Sequence, residues 1–157
     1  MKAIISLILF VFANFNQDTE PFCGVHNTAF KDGEEVTMRV YYTTLGLYVG
    51  AGEAKFTTTI EKYNGVPVYH CVGTGITYSF FDNFYKVRDR YETYIDTGTM
   101  LPVKFIRNVS EGGSKIYNNV TFNHQAKTAG STQGGGKVTS CIRGVSSAVY
   151  YARNIGF

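Results

Sequence analysis

The chain has no tryptophan, three prolines, three cysteines and 17% charged residues in a length of 157. With so few prolines, long stretches of backbone keep every donor that a sheet ladder needs. The cysteines form no Cys-x-x-Cys pair and join no histidine cluster, which removes a zinc site. Charge of neither sign dominates: 15 Lys+Arg stand against 12 Asp+Glu, spread along the chain, so there is no basic patch for nucleic acid. The longest apolar run, Ala3 to Ala13, is well short of the ~20 residues that cross a bilayer, so the chain is not read as transmembrane. No G-x-S-x-G, H-E-x-x-H or P-loop pattern occurs. His26, His70 and His124 are far apart without an acidic or cysteine partner at a useful spacing, and Ser146-Ser147 has no nearby base. They read as solvated or structural groups; the sequence supports no catalytic residue, metal or cofactor, and the chain is expected not to be an enzyme.

Tyrosine and phenylalanine are abundant, at 12 each, with 17 glycines. Aromatics separated by glycine-bearing turns favour antiparallel sheet over a helical bundle. The N-terminus follows another logic. Lys2 precedes the apolar run, and Val11-Phe12-Ala13 ends it on small residues, the order of a cleavable secretory signal. Residues 1–13 are therefore expected to be a signal peptide and 14–22 a disordered leader. Cys23 follows Glu20-Pro21-Phe22, which is no lipid-attachment sequence.

From Cys23 onward one β-rich domain is expected. Ala54, Phe56, Thr58 and Ile60 alternate with charged and threonine positions, and Val36, Met38, Val40 and Tyr42 do the same. Leu45 to Gly52 should connect these two strands. Asn64-Gly65 predicts a two-residue hairpin turn with a strand returning through Val68 to Tyr78. Phe80 to Lys86 reads as a short helix or irregular crossover. Strands follow at Val87–Asp96, Leu101–Val109 and Lys115–Phe122, then a mobile glycine-rich loop from His124 to Lys137. Val145, Ala148, Val149 and Ala152 sit at helical spacing, and Asn154-Ile155-Gly156 resembles a glycine cap. The expected fold is mainly β: a curved, half-barrel-like antiparallel sheet of about six strands with one C-terminal helix packed on it. Such a sheet leaves an edge unpaired, so the domain is expected to continue beyond Phe157.

Face assignment predicts a register. Pairing Ile95 with Leu101 sets Tyr91 against Phe105, Asp89 against Arg107 and Glu92 against Lys104. Pairing Val109 with Ile116 sets Arg107 against Asn118 and Phe105 against Val120. The result is an inward polar row, Asp89–Arg107–Asn118, on an otherwise apolar face. Its structural reading is a satisfied arginine that fixes register; its functional reading is a group that orients a ligand head. The hairpin at Asn64-Gly65 puts His70 opposite Thr59 on the polar face and Cys71 opposite Thr58 on the buried one, where it is a small core residue. Cys23 and Cys141 lie at element boundaries and are the preferred disulfide pair.

Four segments together carry a resemblance: Asn27-Thr-Ala-Phe-Lys-Asp-Gly-Glu, Lys86-Val-Arg-Asp-Arg-Tyr-Glu-Thr-Tyr-Ile-Asp, Leu101-Pro-Val-Lys-Phe-Ile-Arg and Ser147-Ala-Val-Tyr-Tyr-Ala-Arg-Asn. The chain, from about Cys23 to Phe157, resembles the exported bacterial domain-of-unknown-function family 3108. The resemblance implies an envelope protein of Gram-negative bacteria, in the periplasm or outer envelope, and further strands after the Tyr-Tyr-Ala-Arg helix. Its sheet-on-helix outline is similar to the half-barrel of lipoprotein carriers. Two functions of different class follow. In one, Phe56, Tyr91, Phe105, Val120 and Phe122, with Arg107, line a groove that binds an apolar or lipid-like ligand. In the other, exposed Tyr41, Tyr94 and Tyr117 and an open sheet edge serve an envelope protein partner.

Overall fold

A computed structural model describes residues 23–155; the signal-peptide and leader readings and the cap at Gly156 lie outside the described residues. One antiparallel sheet dominates. Its strands are β1 (Glu34–Thr44), β2 (Leu47–Tyr63), β3 (Val66–Thr77), β4 (Val87–Asp96), β5 (Pro102–Glu111), β6 (Ser114–Asn123), β7 (Thr128–Ser131) and β8 (Gly134–Lys137). They lie in sequence order from β1 to β8, an open meander. Helix α1 (Ser79–Asp82) joins β3 to β4, and α2 (Val145–Ala152) follows the sheet. No helix among the described residues is long and apolar enough to cross a membrane.

The sheet has eight strands instead of six, because the segment expected to be a mobile loop folds as the β7–β8 hairpin. Backbone pairing, with little help from side chains, holds it: Phe122 stands opposite Ala129 and Gly130 opposite Gly135. Asn123 Oδ1 accepts the Ala126 amide at 2.9 Å and the Ser131 hydroxyl donates to Gly134 O at 2.7 Å. A strand of glycines has no side-chain alternation from which it could be read.

The expected connection at Leu45–Gly52 is also strand. β1 and β2 run on to Thr44 and Leu47, and the turn is Leu45-Gly46, with φ of 46° and 80°. The Asn64-Gly65 turn has nearly the same angles, 50° and 84°. Its asparagine tolerates the left-handed conformation; Leu45 does so at a cost of about 1–2 kcal/mol. The glycines of β2 are packing residues. A Cβ on Gly52 would lie 2.3 Å from the Ile76 carbonyl oxygen, and a bulge at Val40/Tyr41 bends β1 beside it.

Two of the three predicted registers hold. His70 pairs with Thr59 and Cys71 with Thr58; Arg107 pairs with Asn118, Phe105 with Val120 and Val109 with Ile116. The β4–β5 register is two residues off: Tyr91 faces Arg107, Asp89 faces Val109, Thr93 faces Phe105 and Glu92 faces Ile106. The turn explains the shift. Asp96 accepts the amides of Gly98 and Thr99 through Oδ1 and that of Met100 through its carbonyl. Met100 adopts φ 57° and is wholly buried in the core. Ile95 then pairs with Pro102, and Val103 is left over as a bulge before Tyr94 meets Lys104. The face of each residue survives, because a shift of two preserves side-chain parity.

The packed core occupies one end of the inner face. Phe30, Cys71, Ile95, Met100 and Tyr150 form it, and Phe30 packs edge-to-face on both Tyr69 and Tyr150. α2 is short but well fastened. Arg153 holds Glu34 through two hydrogen bonds of 2.6 and 2.9 Å and donates to Ala29 O. Asn154 Oδ1 accepts the amides of Thr28 and Ala29. Cys23 and Cys141 form the expected disulfide. Arg143 braces it, donating to the carbonyls of both cysteines and lying over the Tyr151 ring.

Candidate ligand cavity

The core fills only part of the face that α2 covers. Beside it lies a cavity of about 940 Å³, at the upper end of the ~300–1,000 Å³ usual for small-molecule sites. Its walls come from β1 through β6 and from α2, so the sheet curls around it as a half-barrel. All six residues proposed from the sequence, Phe56, Tyr91, Phe105, Arg107, Val120 and Phe122, line it. Asp89 is in the wall as well. Asn118, the third member of the predicted row, is not; its Oδ1 accepts the Thr132 hydroxyl at 2.9 Å.

Alternation builds this wall. A continuous cross-strand row runs Val36, Phe56, Gly73, Tyr91, Arg107 and Asn118. Gly73 is what lets the Phe56 ring pack closely on β3, since a Cβ there would stand 3.0 Å from that ring. Tyr91 stacks on Phe105 at 6.4 Å. α2 supplies the lid with Val145 and Val149, which are 83% and 57% exposed, and with Tyr150 and Arg153. Sequence reasoning missed the α2 contributors: their helical spacing announces a buried face, and only Ser147 and Tyr150 of the helix are buried. Val36 and Met38 were legible, lying on the apolar side of an alternating strand.

The polar groups of the cavity divide sharply. At the core end the Thr58 hydroxyl contacts the Tyr150 hydroxyl at 3.3 Å and Cys71 Sγ at 3.8 Å. Burial pushes the Cys71 thiol up to about 11 and Tyr150 up to about 12, so both stay neutral. The predicted ion pair between Asp89 and Arg107 is absent, because the register separates them. Asp89 Oδ1 accepts the Ser110 amide at 3.1 Å, and the neighbouring Asp89 carboxyl raises the pKa of Glu111 from its ordinary value. Arg107 is left without a hydrogen bond or ion pair among the described residues, and its Nε is buried.

The outer face corrects two expectations. His70 is half-buried: it sits 2.9 Å from Glu92, bridges to Glu61 at 3.3 Å and stacks on Tyr94 at 4.3 Å. Tyr94, expected to be exposed, is covered by that histidine and by Tyr63, with the Lys104 ammonium over both tyrosine rings. Tyr41 and Tyr117 are exposed as expected. His124 is tied to the Pro102 carbonyl at 2.7 Å. No group of three His, Cys, Asp or Glu among the described residues is arranged so that it could hold a metal ion.

No curated protein and no solved structure matches the chain. A family model does, over residues 37–140, which takes in the strands β2 to β8 and nearly all of β1. The chain belongs to the family described as protein of unknown function, DUF3108.

Proposed function

We propose that this protein is an exported, non-enzymatic binding protein of the Gram-negative cell envelope, and that it holds an apolar or lipid-like ligand between its curved sheet and α2. The observation that carries this reading is the cavity of about 940 Å³, walled by aliphatic and aromatic side chains of six strands and a helix. A packed domain would close such a volume, since buried apolar surface contributes about 25 cal/mol per Å². Here Val145 and Val149 hang over it largely exposed. Export is supported by the apolar, small-residue-terminated pattern of residues 1–13 and by the disulfide, which persists in oxidising compartments. Native mass spectrometry and solvent extraction of the purified full-length protein should recover an apolar ligand, or show uptake of an alkyl probe that Ala54→Trp blocks. A protein that arrives empty and takes up no apolar probe would end the reading.

A second reading rests on a different surface. From Val40 to Gly52 the β1–β2 hairpin carries no charge, and Leu45 at its tip is 99% exposed. Phe80, Phe84 and Tyr85, around α1, are exposed as well, and Tyr42 meets Phe81 at 6.5 Å, so the two patches join. An envelope partner that binds there would be lost from co-purification on Leu45→Asp, with uptake of the alkyl probe unchanged.

A further inference from the structure

The apolar-ligand reading leaves one cavity group unexplained. A guanidinium is always charged, and placing one in an apolar wall without a counter-charge is costly. Arg107 sits half-buried in such a wall, and the one carboxylate that shares the wall, Asp89, is not paired with it. Its cross-strand neighbours are Tyr91 on one side and Asn118 on the other. Tyr91 carries no counter-charge, burial raising its pKa further, and the Asn118 oxygen is already taken by Thr132. Asp89, in the same wall, pairs across the sheet with Val109 and accepts the Ser110 amide; it makes no ion pair with Arg107. The cavity's other cation, Arg153, is fully committed to Glu34 and Ala29. The site therefore holds one uncommitted cation, with its Nε out of water, facing an apolar volume.

We infer that the ligand is an anionic amphiphile: an alkyl chain against Phe56, Phe105, Val120 and Val149, and an oxyanionic head, carboxylate or phosphate, on the Arg107 guanidinium. Two oxygens of a carboxylate or a phosphate match the guanidinium fork in two parallel charge-assisted hydrogen bonds, which an alcohol head cannot form. Asp89 and Glu111 set the orientation. Their charge repels an anion from that end of β4–β5, so the head is confined to Arg107 and the chain extends toward α2. The inference rests on the apolar-ligand reading, and its test separates the two.

The experiment is a head-group series on the full-length protein: hexadecanoate, hexadecyl phosphate, hexadecanol, and inorganic phosphate alone. Wild type should bind both anionic amphiphiles about 10–100-fold more tightly than the alcohol, the factor carried by a charge-assisted hydrogen bond. Arg107→Gln should erase that preference and leave alcohol binding intact. Arg107→Lys should keep part of it, which guards against a glutamine variant that folds poorly. Equal binding of acid and alcohol by wild type, or an undiminished preference in both variants, overturns the anionic head and leaves an apolar site standing. Inorganic phosphate binding as tightly as its hexadecyl ester overturns the amphiphile. Binding of none of the four removes the apolar reading and this inference together.

Discussion

Replacing both disulfide cysteines, Cys23→Ser with Cys141→Ser, gives a loss of stability that can be worked from the topology. The bridge spans a sequence separation of 118 residues. The chain-entropy relation for a loop of that size gives ~4.9 kcal/mol at 25 °C, nearly all of it from the unfolded state. The folded state should change little, because the N-terminal segment keeps its other ties: Phe30 in the core, Asn154 on the Thr28 and Ala29 amides, and Arg153 on Glu34. With a urea m-value of about 2 kcal/mol/M, the midpoint should fall by roughly 2.5 M at unchanged far-ultraviolet circular dichroism. Cys141 holds φ 63°, so glycine in place of serine at 141 should recover about 1 kcal/mol by relieving left-handed strain. Thiol titration is the control: the oxidised protein should show one thiol in denaturant, that of Cys71, and none in the folded state, where that cysteine is buried. A midpoint shift under about 0.5 M would refute the reasoning, since it would mean that the unfolded chain is already held compact by something else.

Other consequences follow from single contacts. Arg153→Ala should cost roughly 2 kcal/mol in urea titrations, because it removes a bidentate charge pair with Glu34 and a cation resting over Phe30 and Tyr150. The Glu34 carboxyl is held below its ordinary value of 4.5 by that arginine, so its contribution is full above pH 4.5 and is lost as pH falls through the lowered value. Glu34→Gln should flatten that acid limb, and an unchanged limb would count against the pairing. Gly52→Ala should destabilise by about 1–3 kcal/mol in thermal melts, since the new methyl meets the Ile76 carbonyl. Leu45→Asn should stabilise by roughly 1 kcal/mol by relaxing the hairpin tip, and a loss instead would show that Leu45 makes a contact worth more than its strain.

Much of the fold was legible wherever side chains alternate. The inner-face positions of β2, β4, β5 and β6 follow from parity, and parity survives even the misjudged β4–β5 register, which is why all six cavity residues were found together. What escaped was set by backbone or by distant packing. Val103 bulges because Met100 is drawn into the core, a tertiary pull that no local pattern records. β8 consists of glycines and one lysine and offers its partner strand mainly main-chain groups. The isolation of Arg107 follows from the register, which sets Tyr91 instead of Asp89 across from it.

The strand order has a kinetic meaning. Every strand pairs with its immediate neighbour in sequence, and four of the turns hold only two residues: Leu45-Gly46, Asn64-Gly65, Gly112-Gly113 and Thr132-Gln133. Closing such short loops carries little entropic barrier, so the sheet can grow hairpin by hairpin from several starting points. The contacts that join residues 23–34 to α2 are different: Thr28 to Asn154 and Glu34 to Arg153 bridge separations of 126 and 119. They carry the larger closure barrier and should form last, as late hydrogen-exchange protection of the Thr28 amide after that of β2 and β3 would show. The cavity, walled by α2 on one side, should therefore close only at that final step: until then the chain is a sheet with an open trough.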